Sequence, residues 1–569
     1  MRPISMRACL ALLALTALPL AARAADDASI NRSVTVEKDY VPTDIDADKI
    51  NVVPAKETYT PDRPVVSYST WSQSEEVTTT PGKIKSNLYH TSSEKDARKG
   101  VFRAGLGAYW QVLGEFYYPL LQGDKYLLDI DLQHHSDWGH IRYDDTYRPR
   151  AARHNTEATI TFENQFKEAR LSSAVDFSYN GFDYYGRPTT DTTWTFAPDT
   201  ALTKGSYTTV GAHFDLFSTN SKKAFQYDFV LDYHYFGRNA GIHNNALDFG
   251  ADMRFALNTG RLGLNIGMDG NFLGGAGIAR HNTGLFTINP YYYVDGKDWQ
   301  LRIGGKLFGL ASDSVQGVRK WPVSGGADMY GLFGLVPGLF YLEAGLGSDF
   351  RDNNYVDILQ ENRYITPDLV LLPTYTPLDA RLGIKIKVME GLLFHVGGQY
   401  QLLLNEHYYV NAADTANRTV GNTFEVLYGK TTNRINVEAG LHYDAVKGLD
   451  LGVTARYNYW GVKDDDGSRW EHAWQKPAWE INFKGSYRFL EKWEVGLSYN
   501  FLAGRYARIG EESCKMKPLN DLNVWVTYKA LDWLSVFVNG KNLINVKGDS
   551  FYGYRNFGIN GMAGVTMTF

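Results

Sequence analysis

Charged side chains recur in this chain at alternate positions of otherwise apolar segments. Leu247, Phe249, Ala251, Met253 and Phe255 alternate with Asp248, Asp252 and Arg254. Ile435, Val437, Ala439, Leu441 and Tyr443 alternate with Asn436, Glu438, His442 and Asp444, and Leu449 to Tyr459 alternates with Asp450, Thr454, Arg456 and Asn458. A period of two is that of a β-strand with two unlike faces. On that phase Arg254, Arg302, Lys306, Arg381, Lys385, Lys387, Arg456, Lys484 and Arg488 fall on the polar face. So do Asp129, Asp131, Glu157, Glu163, Glu438, Asp450, Glu480 and Glu494. If the apolar face meets lipid, these residues line an interior, because an Arg or Lys at mid-membrane on the lipid side costs about 2–4 kcal/mol. Such an interior is either a hydrated path of mixed charge or a set of salt bridges that fills itself. Arg381, Lys385 and Lys387 form its densest positive stripe, suited to a carboxylate or phosphate.

Catalytic arrangements are missing from the sequence. It contains no Gly-x-Ser-x-Gly, no His-Glu-x-x-His and no phosphate loop, so neither an enzyme nor a bound cofactor is expected. His134, His135 and His140 lie close together, but thirteen histidines in 569 residues make such proximity ordinary. Asp464-Asp465-Asp466-Gly467 opens like a calcium loop and lacks the later bidentate glutamate. No metal is assigned.

The elements that carry these residues are strands from about Val101 onward. Fifty-five glycines and an aromatic content of 14% favour strands, and mean hydropathy is −0.33. Beyond the N-terminus no apolar run reaches the ~20 residues of a spanning helix. A formal charge of −5 without a basic stripe makes nucleic acid a poor partner. At the front, Arg2 and Arg7 precede the apolar run Leu10 to Leu20, and Ala22-Arg23-Ala24 supplies a cleavage site. Residues 1–24 therefore read as a secretory signal peptide. The exported chain then keeps one cysteine, Cys514, and no internal disulfide is possible.

Connections separate into two kinds. Glu390-Gly391, Val446-Lys447-Gly448, Leu490-Glu491 and Leu531-Asp532 are tight, whereas 138–152, 184–204, 352–373, 406–430, 463–473 and 506–516 read as long polar loops. Membrane barrels have this asymmetry, with short periplasmic turns and long external loops. Aromatics crowd the strand ends (Tyr291, Tyr292, Tyr293, Tyr487, Phe489, Trp493, Trp525, Tyr528, Trp533), as interfacial girdles require. Phe569 ends the last strand and is expected to serve recognition by the barrel-assembly machinery. The expected fold is all-β: a transmembrane antiparallel β-barrel of about 22 strands over residues 101–569. Outer-membrane lipid of a Gram-negative bacterium would surround it. The count requires Phe424 to Tyr428 to belong to the 406–430 loop.

Val538-Asn539-Gly540-Lys541-Asn542-Leu543-Ile544-Asn545 resembles the penultimate-strand signature of TonB-dependent receptors. The resemblance implies a 22-stranded outer-membrane transport barrel that binds or passes a solute through a charged lumen. It also implies a plug domain before the barrel. Residues 25–100, rich in Asp and Pro, are too short for a full plug and read as an extended or partly disordered periplasmic segment. Val34, Thr35 and Val36 within it fit a coupling box for strand addition by a periplasmic energy-coupling protein. The other reading of this arm is that of a non-transporting scaffold, docking a surface lipoprotein or a periplasmic partner.

Overall fold

The computed structural model describes residues 100–569, apart from 124, 146, 189–193, 199–200, 221–222, 276, 279 and 314–322. Twenty-two strands form a closed antiparallel barrel. Each pairs with its chain neighbour, and the ring closes where Val101–Gly107 meets Asn560–Thr568 in unbroken register, Val101 opposite Thr568 and Gly107 opposite Met562. The seam extends to the last residue: the Gly100 amide donates to the Phe569 carbonyl at 2.7 Å, and the Phe569 amide returns the bond at 3.0 Å. Closure leaves no strand edge, so every ladder group is paired without help from water. The signal peptide, the 25–99 segment and the coupling box at Val34, Thr35 and Val36 lie outside the described residues.

Alternation in the sequence becomes two faces in the wall. Ile160 and Phe162, Val175 and Phe177, Leu247 and Phe249, and Val536 and Val538 all stand exposed, the members of each pair separated by one residue. An apolar surface of this extent is stable only against a non-aqueous neighbour. At the tight-turn end Tyr487, Phe489, Trp493 and Tyr528 form a continuous ring chain, with centroids 5.7, 6.3 and 4.5 Å apart. Phe569 stacks on Tyr118 at 5.9 Å in the same zone.

Two aromatics assigned to the girdles lie elsewhere. Trp525 follows the polar phase of Asn523 and Thr527, and its indole covers Gly496 on the adjoining strand, where a Cβ would collide with the ring. Tyr291 sits on Gly263 in the same way. Glycine is required there by close approach, not by a turn. Gly496→Ala is expected to displace Trp525 and destabilise the barrel by about 1–3 kcal/mol. Heat-modifiable electrophoretic migration checks this; an unchanged unfolding temperature would refute the packing.

The long-loop end departs most from expectation. Segment 406–430 is not a loop. Strands Leu392–Asp414 and Thr419–Tyr443, 23 and 25 residues long, stay paired to Asp414 opposite Thr419. A tilted strand needs only about 9–11 residues to cross a bilayer, so this hairpin projects beyond the wall. Phe424 to Tyr428 is thus strand, and it lengthens an existing strand without adding one. Segment 506–516 is likewise a hairpin, Tyr506–Ile509 against Glu512–Lys515, with Ala507, Ile509 and Cys514 buried. Inside 352–373 lies a helix, Tyr355–Glu361. Asn354 caps it by accepting the Asp357 amide, and Tyr355, Ile358 and Leu359 are buried on one side.

Candidate functional site

These segments pack on one another. Ile141 and Ala151, Tyr184 and Tyr185, Tyr355, Ile358, Leu359, Tyr364 and Ile365, Tyr409, Phe424 and Tyr554 belong to one buried cluster, drawn from five connections of the long-loop end and from strand ends beside them. Segments read as long polar loops therefore build the largest apolar core among the described residues, at the long-loop end of the barrel. Tyr554 and Tyr364 stack at its centre, 3.5 Å between centroids. The Tyr554 hydroxyl donates to the Asn422 carbonyl. The Asn422 amide donates to the Tyr184 carbonyl at 3.0 Å and the Leu202 carbonyl at 2.7 Å, fixing the 184–203 segment to the projecting hairpin.

Two polar nodes lock this cover to the wall. Arg238 ends strand Phe225–Arg238 and is 5% exposed; it donates to the hydroxyls of Tyr355 and Tyr184 and to the Ile365 carbonyl at 3.2 Å. One guanidinium thus holds three separate points of two connections, a task its planar fork suits. Glu361, at the end of the helix, accepts from Lys476 at 3.0 Å and pairs with His407 at 2.6 Å; Glu406 beside them holds Arg351 at 2.8 Å. Burial alone would raise the Glu361 carboxyl, but the charges of Lys476 and His407 outweigh it and hold it well below the ordinary range. Asn542 and Asn545 of the C-terminal signature brace the last connection. Asn542 adopts φ 48° and donates to the Phe557 carbonyl at 2.8 Å, while Asn545 accepts the Ile559 amide at 3.2 Å.

Most of the charged candidates from the sequence are paired along the polar face. Arg254 meets Asp252 at 3.3 Å, Arg302 meets Asp328 at 2.7 Å, and Lys306 donates to the Ser348 carbonyl at 3.1 Å. Arg456 meets Glu438, which His395 also contacts at 3.1 Å, and Asp131 accepts from Gln133 at 3.0 Å. Asp129, on the same strand, lies opposite Thr161. The expected positive stripe is largely neutralised: Arg381 binds Asp379 at 2.5 Å and Lys385 binds Glu343 at 2.8 Å, with Lys387 two residues further along the strand. Apart from Arg302 and Lys306, these residues are spread around the ring. His134 bonds Thr156 at 2.8 Å, whereas His135 approaches Asp137 at 3.5 Å, so the histidines diverge.

Below the loop core the polar face forms a recess of about 490 Å³. Arg302, Lys306, Asp328, Asn289, Phe308 and Phe350 are among the residues that line it. Neither Asn289 nor these two rings stands out in the sequence. Arg238, Tyr364, Tyr554, Glu361, His407 and Lys476 do not either. Their one signal is Asn354 three residues ahead of Asp357, followed by apolar Ile358 and Leu359, a helix start inside a presumed loop.

No family model matches the chain, and no curated protein sequence matches it. Solved structures do. The iron transporter FrpB of Neisseria meningitidis (F3-3 variant) superposes with a TM-score of 0.62 at 10% identity, over 83% of this chain and 81% of its own. The ferric-catecholate import receptor Fiu of E. coli K12 gives 0.59 at 12% identity, covering 83% and 82%. A point mutant of the ferric enterobactin receptor of Pseudomonas aeruginosa gives 0.57 at 10%, covering 83% and 80%. The chain thus has the closed 22-stranded barrel fold of TonB-dependent receptors, the fold that its C-terminal signature resembles in sequence.

Proposed function

We propose that the protein is an outer-membrane transport barrel of a Gram-negative bacterium that binds and passes a solute through its polar interior. The loop core acts as a closure on the outer side. The observation that carries this reading is the contrast between a polar-faced recess within the wall and an apolar, hydrogen-bonded cover over it. A barrel that served only as a wall would need no separately folded cover. Arg254, Arg302, Lys306, Arg381, Lys385, Lys387, Arg456, Asp129, Asp131 and Glu438 line the path on this reading, most of them as neutral pairs that favour polar over strongly charged solutes. No enzymatic step is assigned. Val34, Thr35 and Val36 would add as a strand to a periplasmic energy-coupling protein, and the barrel-assembly machinery would insert the chain through the strand ending at Phe569.

Proteoliposome swelling tests the proposal. Vesicles holding residues 25–569 should swell in small polar solutes once the cover is loosened, and vesicles without protein should not. Absence of swelling from intact and loosened protein alike would end the transport reading. The scaffold reading rests instead on the sequence of the arm at 25–100, rich in Asp and Pro and too short for a full plug. It predicts that deleting residues 25–95 abolishes co-purification of a lipoprotein or periplasmic partner while the barrel stays folded; retained partners would refute it.

A further inference from the structure

The barrel wall is not of even height. Its three shortest strands among the described residues are neighbours in the ring: Leu534–Lys541, Asn560–Thr568 and Val101–Gly107, with 8, 9 and 7 residues against 11 for the next shortest. Their ladders begin level at the tight-turn end, with Leu534 opposite Met567 and Val101 opposite Thr568. Seven residues at ~3.4 Å each, tilted about 35–45°, rise only about 17–19 Å, short of the apolar band of about 25 Å that a membrane barrel presents. Apolar surface nevertheless continues past this low rim. Val536 and Val538 stand exposed on the outward face, and Leu543 folds back over Gly540 on the same face, where a Cβ would lie 3.0 Å from its side chain. Ile559 extends the outward phase of Gly561, Ala563 and Val565 and is exposed, as is Ile544. Where the first hairpin turns at this rim, Tyr109 stacks on Phe557 at 4.6 Å, but Trp110 beside it is 82% exposed.

We infer that the outer leaflet of the membrane is held low at the closure seam. Leu543, Ile544 and Ile559 form a lip that its acyl chains cover, and Trp110 anchors the lip at the headgroup boundary. An indole suits that boundary because its apolar body and its N–H find different surroundings there. Lipid is the occupant because the lip is continuous with the lipid-facing wall through Val538 and Gly540, and the outward positions of the three short strands carry no charge. An irregular connection tolerates acyl chains only where protein satisfies its backbone. The turn 542–545 is built this way. The Asn542 amide donates to the Asn523 side chain at 3.0 Å, the Leu543 amide to the Leu522 carbonyl at 2.9 Å, and the Asn545 amide to the Asn542 carbonyl at 2.8 Å. The Asn542 side chain serves the Val546 and Phe557 carbonyls, and that of Asn545 takes the Ile559 amide. The asparagines of the C-terminal signature thus hold the backbone while the two aliphatic residues between them face lipid. The mismatch between rim and band then falls on the bilayer, which thins locally. This inference concerns the surrounding membrane and is independent of what crosses the barrel.

Depth-dependent fluorescence quenching tests the anchor. Residues 25–569 and the Trp110→Phe variant are folded into phosphatidylcholine vesicles, and the difference between their emissions isolates this indole. It should be blue-shifted and quenched most by lipid brominated next to the headgroup. Quenching by aqueous iodide with no effect of any brominated lipid overturns the inference, as does strongest quenching by lipid brominated at the chain ends. Cysteine labelling tests the turn. Ile544→Cys should react with a membrane-impermeant maleimide at least tenfold more slowly than Asp465→Cys, which marks an exposed loop tip; wild type, with its one described cysteine buried, is the blank. The contrast should hold on intact cells and for purified protein in vesicles, with heat-modifiable migration certifying that each variant is folded. Equal rates in vesicles overturn the inference. Protection on cells alone would mean that a protein partner covers the turn, and overturns it too.

Discussion

Replacing Arg238 by alanine is expected to release the loop core while the barrel remains folded. The guanidinium is buried and serves the Tyr355 and Tyr184 hydroxyls and the Ile365 carbonyl together. Its removal leaves these buried oxygens without their donor and opens a cavity at the end of the strand. Orphaned polar groups cost about 1–3 kcal/mol each, so a loss of about 3–5 kcal/mol from the cover is expected. Arg238→Lys should restore little, since a point-like ammonium cannot reach three separated acceptors with the geometry of a fork. Limited proteolysis of intact cells reads the effect: cleavage within 352–373 and 184–203 should appear in both variants, with the barrel remaining resistant. Equal resistance of wild type and Arg238→Ala would show that the node does not hold the cover.

The second large effect concerns acid. Glu361 has a folded-state pKa below its ordinary value, because Lys476 and His407 outweigh the effect of burial. A depressed carboxyl contributes stability that is complete above its unfolded pKa of about 4.3 and is lost as pH falls from there through the folded value. Glu406 carries the same sign, its carboxyl lowered by Arg351 against the effect of burial. Like Asp352 and Asp357 at the helix, both raised by burial, Asp549 carries the opposite sign. Burial raises it despite the Gly553 amide and the charges of Arg555 and Arg505, so its contribution is present in acid and lost as pH rises through the folded value. The cover should therefore loosen below about pH 4, and Glu361→Gln should remove most of that dependence. At neutral pH the same variant should lose about 3–5 kcal/mol of cover stability, because Lys476 is left buried without this carboxylate. Hydrogen exchange of the 355–361 amides between pH 4 and 7 checks both statements; a wild-type acid response retained by Glu361→Gln would contradict them.

The wall was legible because its rule is local. A strand between lipid and a polar interior must alternate, so residues such as Leu247 to Phe255 declare their faces from their near neighbours alone. Turn asymmetry followed as directly, since a tight hairpin needs only its own two or three residues. The cover was illegible for the converse reason. Tyr364 finds Tyr554 across nearly two hundred residues, and Arg238 finds Ile365 across more than a hundred. Nothing near either residue in sequence specifies its partner. Polar composition also misled: Asn422 looks like a loop residue because its amide is polar, yet it is buried and satisfied entirely by backbone. Trp525 and Tyr291 were misplaced because an aromatic near a strand end fits a girdle equally well as a ring lying on a facing glycine. The glycines opposite them were the available signal, and they need the register before they can be read.

Single-channel conductance of residues 25–569 in a planar bilayer, measured beside Arg238→Ala, decides whether a polar-faced transport barrel is shut from outside by its own loops. Silence is expected from the intact protein and discrete currents from the variant, larger again below about pH 4, where the contribution of Glu361 to the cover declines. Steady large currents from the intact protein, or silence from both, would contradict the closure.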